Sequence, residues 1–410
     1  MCIRDRSWLG SFRVLFRSLS FIKLAILARL LTPAQFGIAD IAILALALVE
    51  VLSETGINVF LIQKKEDIED YIDTAWIISI FRGICISVIL FISASMVASF
   101  FRSEKSYYLL LMVSIVPLIR GFINPSVIKF LKNLDYDKQF FYRSSIVLIE
   151  IFTTIIIVWI TNDPTGIIWG LVVGGIWEVI LTFVFINPRP KFIFDKTKFF
   201  EIVHGGKWLT LAGIFDYLYL NLDNIVIGRL LGASNLGLYM RAYGISLLPI
   251  TEISDVFNQT TFPIYVKIHT EKSRLYKAFL KTLSTVSILV IPAGLLFFLF
   301  PNNLIILILG DKWLPAAPVL QVLALYGIIR AITRTTIGLF YSLKRQDIIT
   351  RITGVNLLGL SLTIIPFINK WGVIGAGFSA LTGTLISIPF VIYYVSKVLK
   401  DCLLYTSRCV

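Results

Sequence analysis

Long apolar runs separated by short polar gaps extend along almost the whole chain. A membrane-spanning helix needs about 20 mainly apolar residues. Twelve stretches meet or approach that length: 12–30, 36–62, 72–101, 106–130, 141–161, 165–187, 204–230, 235–264, 277–300, 316–342, 347–368 and 372–398. The run at 302–313 reads as a short partial helix beside them. No gap is long enough to hold a domain outside the membrane. The pattern predicts an all-α polytopic membrane protein of about 12 transmembrane helices.

Ten residues recur in register two hundred positions apart. Ala28-Arg-Leu-Leu-Thr-Pro-Ala-Gln-Phe-Gly37 returns as Gly228-Arg-Leu-Leu-Gly-Ala-Ser-Asn-Leu-Gly237. A charged residue and a glycine both keep their places, which argues for a duplicated unit. Gly166-Ile-Ile-Trp-Gly170 in the sixth run and Gly372-Val-Ile-Gly-Ala in the twelfth form a weaker second match. Six spans per copy is an even number, so both copies start on the same side, related by a pseudo-two-fold axis along the membrane normal. The expected division is an N-terminal six-helix bundle over 12–187, a Pro- and Lys-rich connector at 188–203 and a C-terminal six-helix bundle over 204–398.

Lys and Arg fix the orientation. Nineteen lie in the gaps after spans two, four, six, eight and ten, among them Lys64, Lys132, Lys191, Lys277 and Arg345, against seven in the alternate gaps. Short loops rich in positive charge stay in the cytoplasm, so the connector and both termini are expected there. The ends, 1–7 and 401–410, read as foreign sequence and are left out of the fold.

Composition agrees. Of 410 residues 57% are hydrophobic and 15% charged, against about 45–50% and about 25% in soluble domains. The formal charge of +13 is scattered through the gaps rather than gathered on one face, so it reports topology and not nucleic-acid binding. The four cysteines show neither a disulfide framework nor metal-ligand spacing. His204-Gly-Gly-Lys207 lacks the upstream glycine of a phosphate loop, which argues against ATP hydrolysis. Asp135-Tyr-Asp137 resembles a metal-binding pair but sits in a short loop among Lys132, Lys138 and Arg143, where a solvated charge pattern is the better reading.

The informative residues are ionisable groups inside spans. An isolated charge in hydrocarbon costs about 2.5–3.5 kcal/mol on insertion scales, so such residues face a bundle interior or a wet cavity. The cavity candidates are Glu50, Glu54, Glu150, Glu178, Asp216, Asp223, Glu252, Asp255, Arg330 and Arg334, and Arg82 and Arg120 also fall within spans. Glu50/Glu54, Glu252/Asp255 and Arg330/Arg334 are spaced to share a helix face. The arginines either neutralise the acidic pairs across helices or line the cavity; both roles stay open.

The chain resembles the polysaccharide transporter family, flippases of lipid-linked oligosaccharides in the multidrug/oligosaccharidyl-lipid/polysaccharide exporter superfamily. The residues that carry the resemblance are Leu27–Gly37, Leu61-Ile-Gln-Lys64, Leu222-Asp-Asn-Ile-Val-Ile-Gly-Arg-Leu-Leu-Gly232, Leu236-Gly-Leu-Tyr239, Phe262-Pro263 and Leu309-Gly-Asp-Lys-Trp313. It implies two six-helix bundles around a central cavity, alternating access, and a polyprenyl-pyrophosphate-linked oligosaccharide destined for O-antigen, capsule or exopolysaccharide. Polysaccharide polymerase and glycosyltransferases of the same pathway are the implied partners, beside membrane lipid. No catalytic residues, metal or cofactor are expected, and coupling to H⁺ or Na⁺ is left open. A cation-coupled multidrug or metabolite antiporter of the same superfamily is the alternative.

Overall fold

The computed structural model describes residues 3–64 and 68–404, with side chains described for 15–64, 68–202, 204, 213–247 and 250–399. The ends expected to be foreign, 1–7 and 401–410, lie outside the residues described to side-chain level. Among the described residues the chain is helical, with no strand. The first nine helices are α1 (Ile3–Leu30), α2 (Pro33–Leu52), α3 (Ile57–Gln63), α4 (Glu69–Phe100), α5 (Ser106–Val113), α6 (Ile115–Gly121), α7 (Lys129–Lys132), α8 (Tyr136–Thr161) and α9 (Thr165–Phe185). The remainder are α10 (Lys196–Leu231), α11 (Ala233–Ile268), α12 (Lys272–Leu299), α13 (Pro301–Ile308), α14 (Ala317–Ser342), α15 (Gln346–Trp371) and α16 (Val373–Leu404).

Eight of these segments are long and apolar enough to cross a bilayer, and a broken pair makes a ninth. The pair is Ser106–Gly121 with Pro125–Lys132, bent by 73°. One continuous span was expected over 106–130. Pro125 prevents it by forcing Asn124 out of the helical region, where Asn124 caps the new turn by accepting from the Ser126 N–H at 2.9 Å. Helices α1, α10 and α11 are 28, 36 and 36 residues long, enough at 1.5 Å per residue to cross about 30 Å of hydrocarbon. Their polar residues dilute the apolar signal that the other spans carry.

The described chain forms two compact units, Met1–Gly237 and Leu238–Val410. In the first, α4 packs on α6, α8 on α9, and α10 on α2. Compaction therefore continues past the connector at 188–203, because the first long helix of the second repeat buries a face against α2.

The repeated motif is a tight corner between helices in both copies. In the first, α1 ends at Leu30 and Thr32 caps α2, accepting from the Gln35 N–H while Gln35 accepts from the Thr32 N–H at 2.8 Å, a reciprocal box with proline at the first helical position. In the second, α10 ends at Leu231 and Gly232, at φ +82, turns the chain into α11, a conformation that favours glycine. The two corners lie against each other: a Cβ on Gly37 would overlap the Ala233 carbonyl, and one on Gly237 would overlap the Pro33 carbonyl. Position 33 meets 237 and position 37 meets 233. That reciprocity is what a two-fold axis produces, so the duplication appears as a pseudo-dyad contact.

In the second unit α15 lies along α16, α14 packs on α12 and α16, and small residues allow the close approaches. A Cβ on Gly359 would sit 2.9 Å from the Gly383 Cα. Gly310, at φ +97, turns the chain into a short 3₁₀ segment that buries Trp313 completely.

Candidate functional site: intramembrane ion pairs

Unit 1 brings six helices together around a strip of paired charges. At one end Lys23 of α1 donates to Glu150 of α8 at 2.7 Å. Gly174 and Gly175 of α9 lie against the stems of Glu150 and Arg120 respectively, so two adjacent missing side chains let α9 approach both α8 and α6. The Arg120 guanidinium reaches Glu50 of α2 at 3.7 Å. Arg82 of α4 then donates to the Glu50 carbonyl at 2.8 Å, to the Ser53 hydroxyl at 3.3 Å and to the Glu54 carboxylate at 3.4 Å.

Glu54 is not on the helix face that the four-residue spacing predicted. Helix α2 ends at Leu52, and Glu54 lies in the turn before Gly56, whose N–H it accepts at 3.1 Å. Gly56, at φ 67, supports that break. Glu178 of α9 accepts from the Tyr142 hydroxyl at 2.8 Å and faces Arg143 at 3.8 Å.

These charges are paired, as ions within membrane-spanning helices are expected to be, but several of the pairs are loose. The Nε of Arg120 is buried and has no hydrogen-bond partner, and its contact with Glu50 is longer than a good charge-assisted bond of about 2.7–2.9 Å. Both side chains stay about one third exposed, 37% for Arg120 and 33% for Glu50. An anion could therefore be received at Arg120 without first breaking a tight bond.

Unit 2 contrasts with this. Arg334 donates to Asp255 at 2.8 Å, Asn258 donates to the Arg334 carbonyl at 3.0 Å, and Ser254 to the Ala331 carbonyl at 2.8 Å. Arg330 donates to the hydroxyls of Tyr243 and Tyr326, and its guanidinium lies over the Tyr326 ring at 5.5 Å. Helices α11 and α14 are thus zipped along one seam. Of the expected acid–arginine pairings, Asp255–Arg334 is formed.

On α10, Asp223 is buried and its carboxylate accepts from the Asn224 N–H at 2.8 Å, while Asp216 is exposed. Glu252 is half-buried on α11. The apolar count alone did not single out Asp40, 4% exposed on α2; a lone carboxylate in so apolar a run was the available signal. Nothing in the neighbourhood of Lys23 in the sequence shows the distant Glu150.

Outside the spans, Lys64, Tyr71 and Glu201 form a junction between α3, α4 and the start of α10. Lys64 and Tyr71 donate to the same Glu201 oxygen at 3.2 and 2.9 Å. The bond from Tyr71, then that from Lys64, hold the Glu201 carboxyl below the usual range, and the same cluster raises Lys64.

Comparison with known proteins identifies the lineage. A family model described as polysaccharide biosynthesis protein matches residues 26–318. The chain belongs to that family. It is 26% identical over 348 residues to the lipopolysaccharide biosynthesis protein WzxC of Escherichia coli K12, covering 84% of this chain and 71% of WzxC. It is 24% identical over 403 residues to the teichuronic acid biosynthesis protein TuaB of Bacillus subtilis, covering 95% of this chain and 79% of TuaB. Among solved structures, the lipid II flippase MurJ in an inward closed conformation matches with TM-score 0.73 and 14% identity, covering 95% of this chain and 88% of that one. An inward-facing multidrug resistance transporter of the MATE family matches with TM-score 0.71 and 13% identity, covering 94% and 96%. The fold is that of these two-bundle, twelve-helix transporters.

Proposed function

We propose that this protein turns a polyprenyl-pyrophosphate-linked oligosaccharide from the cytoplasmic to the outer leaflet of a bacterial cytoplasmic membrane, by alternating access and without a chemical step. The observation that carries the reading is the loosely paired guanidinium of Arg120, about one third exposed and with no hydrogen-bond partner at its Nε, within the strip of charges through the membrane-spanning part of unit 1. A pyrophosphate or acidic sugar suits guanidinium forks, which pair with such oxygens in two-point fashion. Carboxylates such as Glu50, Glu150 and Glu178 suit sugar hydroxyls, or a coupling H⁺ or Na⁺. Relatives acting in lipopolysaccharide and teichuronic acid biosynthesis support a surface polysaccharide as the end product.

In this reading two six-helix bundles, 12–187 and 204–398, rock about the pseudo-dyad, and both termini face the cytoplasm. The corners at 33–37 and 233–237 follow the gaps poor in Lys and Arg, so their contact closes the outer side and opening outward breaks it. Polymerase and glycosyltransferases of the same pathway are the expected partners.

The fold alone does not separate a flippase from an antiporter, since MurJ and the multidrug transporter match about equally well. Deleting the gene in its host and measuring lipid-linked oligosaccharide on the cytoplasmic leaflet separates them. Accumulation that is relieved by the wild-type gene, but not by an Arg120→Gln copy, is expected. Normal surface polysaccharide with no accumulation refutes the flippase reading and leaves the cation-coupled antiporter.

A further inference from the structure

The segment between α9 and α10, residues 186–195, is a strap fastened to unit 1. Asn124 and Ser126 both donate to the Pro188 carbonyl, at 3.0 and 2.8 Å. The Lys191 N–H donates to Asp73 of α4 at 2.8 Å, and the Asp195 N–H to the Thr74 hydroxyl at 3.2 Å. Between those two bonds the Phe192 ring lies 4.7 Å from that of Trp76, whose Nε1 donates to the Phe122 carbonyl at 3.0 Å. A backbone held at so many points cannot turn its apolar side chains inward. Phe192, Ile193 and Phe194 are accordingly 76%, 57% and 49% exposed, and Phe200, just inside α10, is 68% exposed. Contiguous apolar surface of this kind marks a contact with something outside the chain.

Charge on the strap says what that contact is. Arg189, Lys191 and Lys196 are exposed, and their side chains form no ion pair among the described residues. The carboxylates around them are mostly occupied: Asp73 by the Lys191 N–H, Asp195 by the first N–H groups of α10, Glu69 by Lys129 and Glu201 by Lys64. Asp70 stands exposed against three cations, so the strip is net positive. Its depth follows from α4 and α9, both long and apolar enough to cross a membrane. The strap begins where α9 ends at Phe185 and is bonded to the second turn of α4, beside a tryptophan, the residue type of the membrane–water boundary. Aromatic side chains at that level reach acyl chains, and cations a residue or two away reach headgroups.

We propose that this strap is a docking surface for the anionic phospholipids of the bilayer, with Phe192, Ile193 and Phe194 among the acyl chains and Arg189, Lys191 and Lys196 on the phosphates. A neutral bilayer surface would satisfy the apolar side chains alone; the three cations without counter-ions select negative charge. Each favours an anionic surface by roughly fivefold, and three together by at most about 100-fold. Asp195 caps α10, so the docked strap pins the start of that helix at the interface. On the proposed orientation the leaflet is the cytoplasmic one. The lipid here is a bound partner and not cargo, so the surface serves a flippase and an antiporter alike and goes beyond the proposed function.

The test uses the full chain in nanodiscs of equimolar phosphatidylglycerol and phosphatidylcholine. A spin label at Ile193→Cys, with Cys2, Cys85, Cys402 and Cys409 replaced by serine, is expected to collide with oxygen and not with a water-soluble nickel chelate. In parallel, the wild-type chain is irradiated with one or the other lipid bearing a diazirine near its glycerol. Adducts within 186–200 should be about 10- to 100-fold more frequent with phosphatidylglycerol. In Arg189→Gln/Lys191→Gln/Lys196→Gln, which removes no ion pair and keeps the Lys191 N–H bond, that preference should vanish. A nickel-accessible label overturns the proposal and leaves the strip to a soluble partner. Equal labelling by the two lipids in the wild-type chain also overturns it, leaving an apolar contact with no choice of headgroup. Accumulation of lipid-linked oligosaccharide on gene deletion bears on the flippase reading alone, so the two readings fail separately.

Discussion

Adding one methyl group at the crossing of the duplicated corners tests both the duplication and the transport cycle. In Gly37→Ala the new Cβ would overlap the Ala233 carbonyl, and in Gly237→Ala the Pro33 carbonyl. Both obstacles are backbone, so no rotamer change relieves them and the helices must separate. Overpacking a well-fitted contact costs about 1–3 kcal/mol. If the contact exists only while the outer side is closed, that cost shifts the closed-to-open equilibrium by roughly 5- to 150-fold, at 1.4 kcal/mol per decade. Gly354 is the control, because a Cβ there meets nothing within 4 Å, and Gly354→Ala should be neutral or slightly stabilising through helix propensity. Thermal unfolding in nanodiscs should show lower midpoints for both corner variants. The double variant should lose less than the sum, since once the helices part the second methyl meets space. Unchanged midpoints in both single variants would refute the reciprocal contact and, with it, the proposed outer closure.

Arg120→Gln should lower export of lipid-linked oligosaccharide about 10- to 150-fold, the equivalent of one charged hydrogen bond of about 1.5–3 kcal/mol, without moving the unfolding midpoint by more than Gly354→Ala does; unimpaired export would remove Arg120 from the path. At the junction of α3, α4 and α10 the Glu201 carboxyl is depressed by Tyr71 and Lys64, so its contribution to stability is present above the ordinary carboxylate value of about 4.3 and is lost as pH falls through the lower folded value. The stability difference between wild type and Glu201→Gln should accordingly be flat from neutrality to about pH 5 and shrink below about pH 4, and a difference that grows on acidification would contradict the geometry. Asp255→Asn leaves Arg334 short of its counter-ion; breaking a buried pair costs about 3–5 kcal/mol, and with the side chains 35% and 29% exposed a loss of about 1–2 kcal/mol is expected, part of it recovered in Asp255→Asn/Arg334→Gln. A double variant no more stable than the single one would show that the pair is not coupled.

Hydrophobic run lengths located the helices because a bilayer imposes one length on every span. They could not locate breaks that side-chain capping decides. Ser53-Glu-Thr-Gly56 looks like a continuation of an apolar run, yet the helix stops there and Glu54 turns back to its own backbone. Asn124-Pro125 does the same to the fourth span. The motif at 28–37 and 228–237 revealed the duplication, since register survives in a one-dimensional string, but not that the copies meet, which depends on two glycines presenting bare backbone to each other. The candidate site was legible as a set of charges and illegible as a set of partners. Lys23 and Glu150 are 127 residues apart, and no local pattern links them.

The partners matter more than the inventory, because what distinguishes Arg120 from Arg334 is how tightly each is held. At an effective dielectric constant of about 20, unit charges at the 2.8 Å of Arg334–Asp255 attract by roughly 6 kcal/mol, and at the 3.7 Å of Arg120–Glu50 by roughly 4.5 kcal/mol. The difference corresponds to about one decade in the ease with which an incoming anion displaces the carboxylate. Geometry widens it. Arg334 is also fixed through its backbone by Asn258, while Arg120 has a buried donor still unsatisfied. In the proposed transport cycle a passing phosphate therefore exchanges with Glu50 at small net cost, whereas at Arg334 it would have to unzip α11 from α14. In this fold the guanidinium that holds cargo is expected to be the loosely paired one, and the tightly paired arginine to maintain the bundle that the cargo moves past.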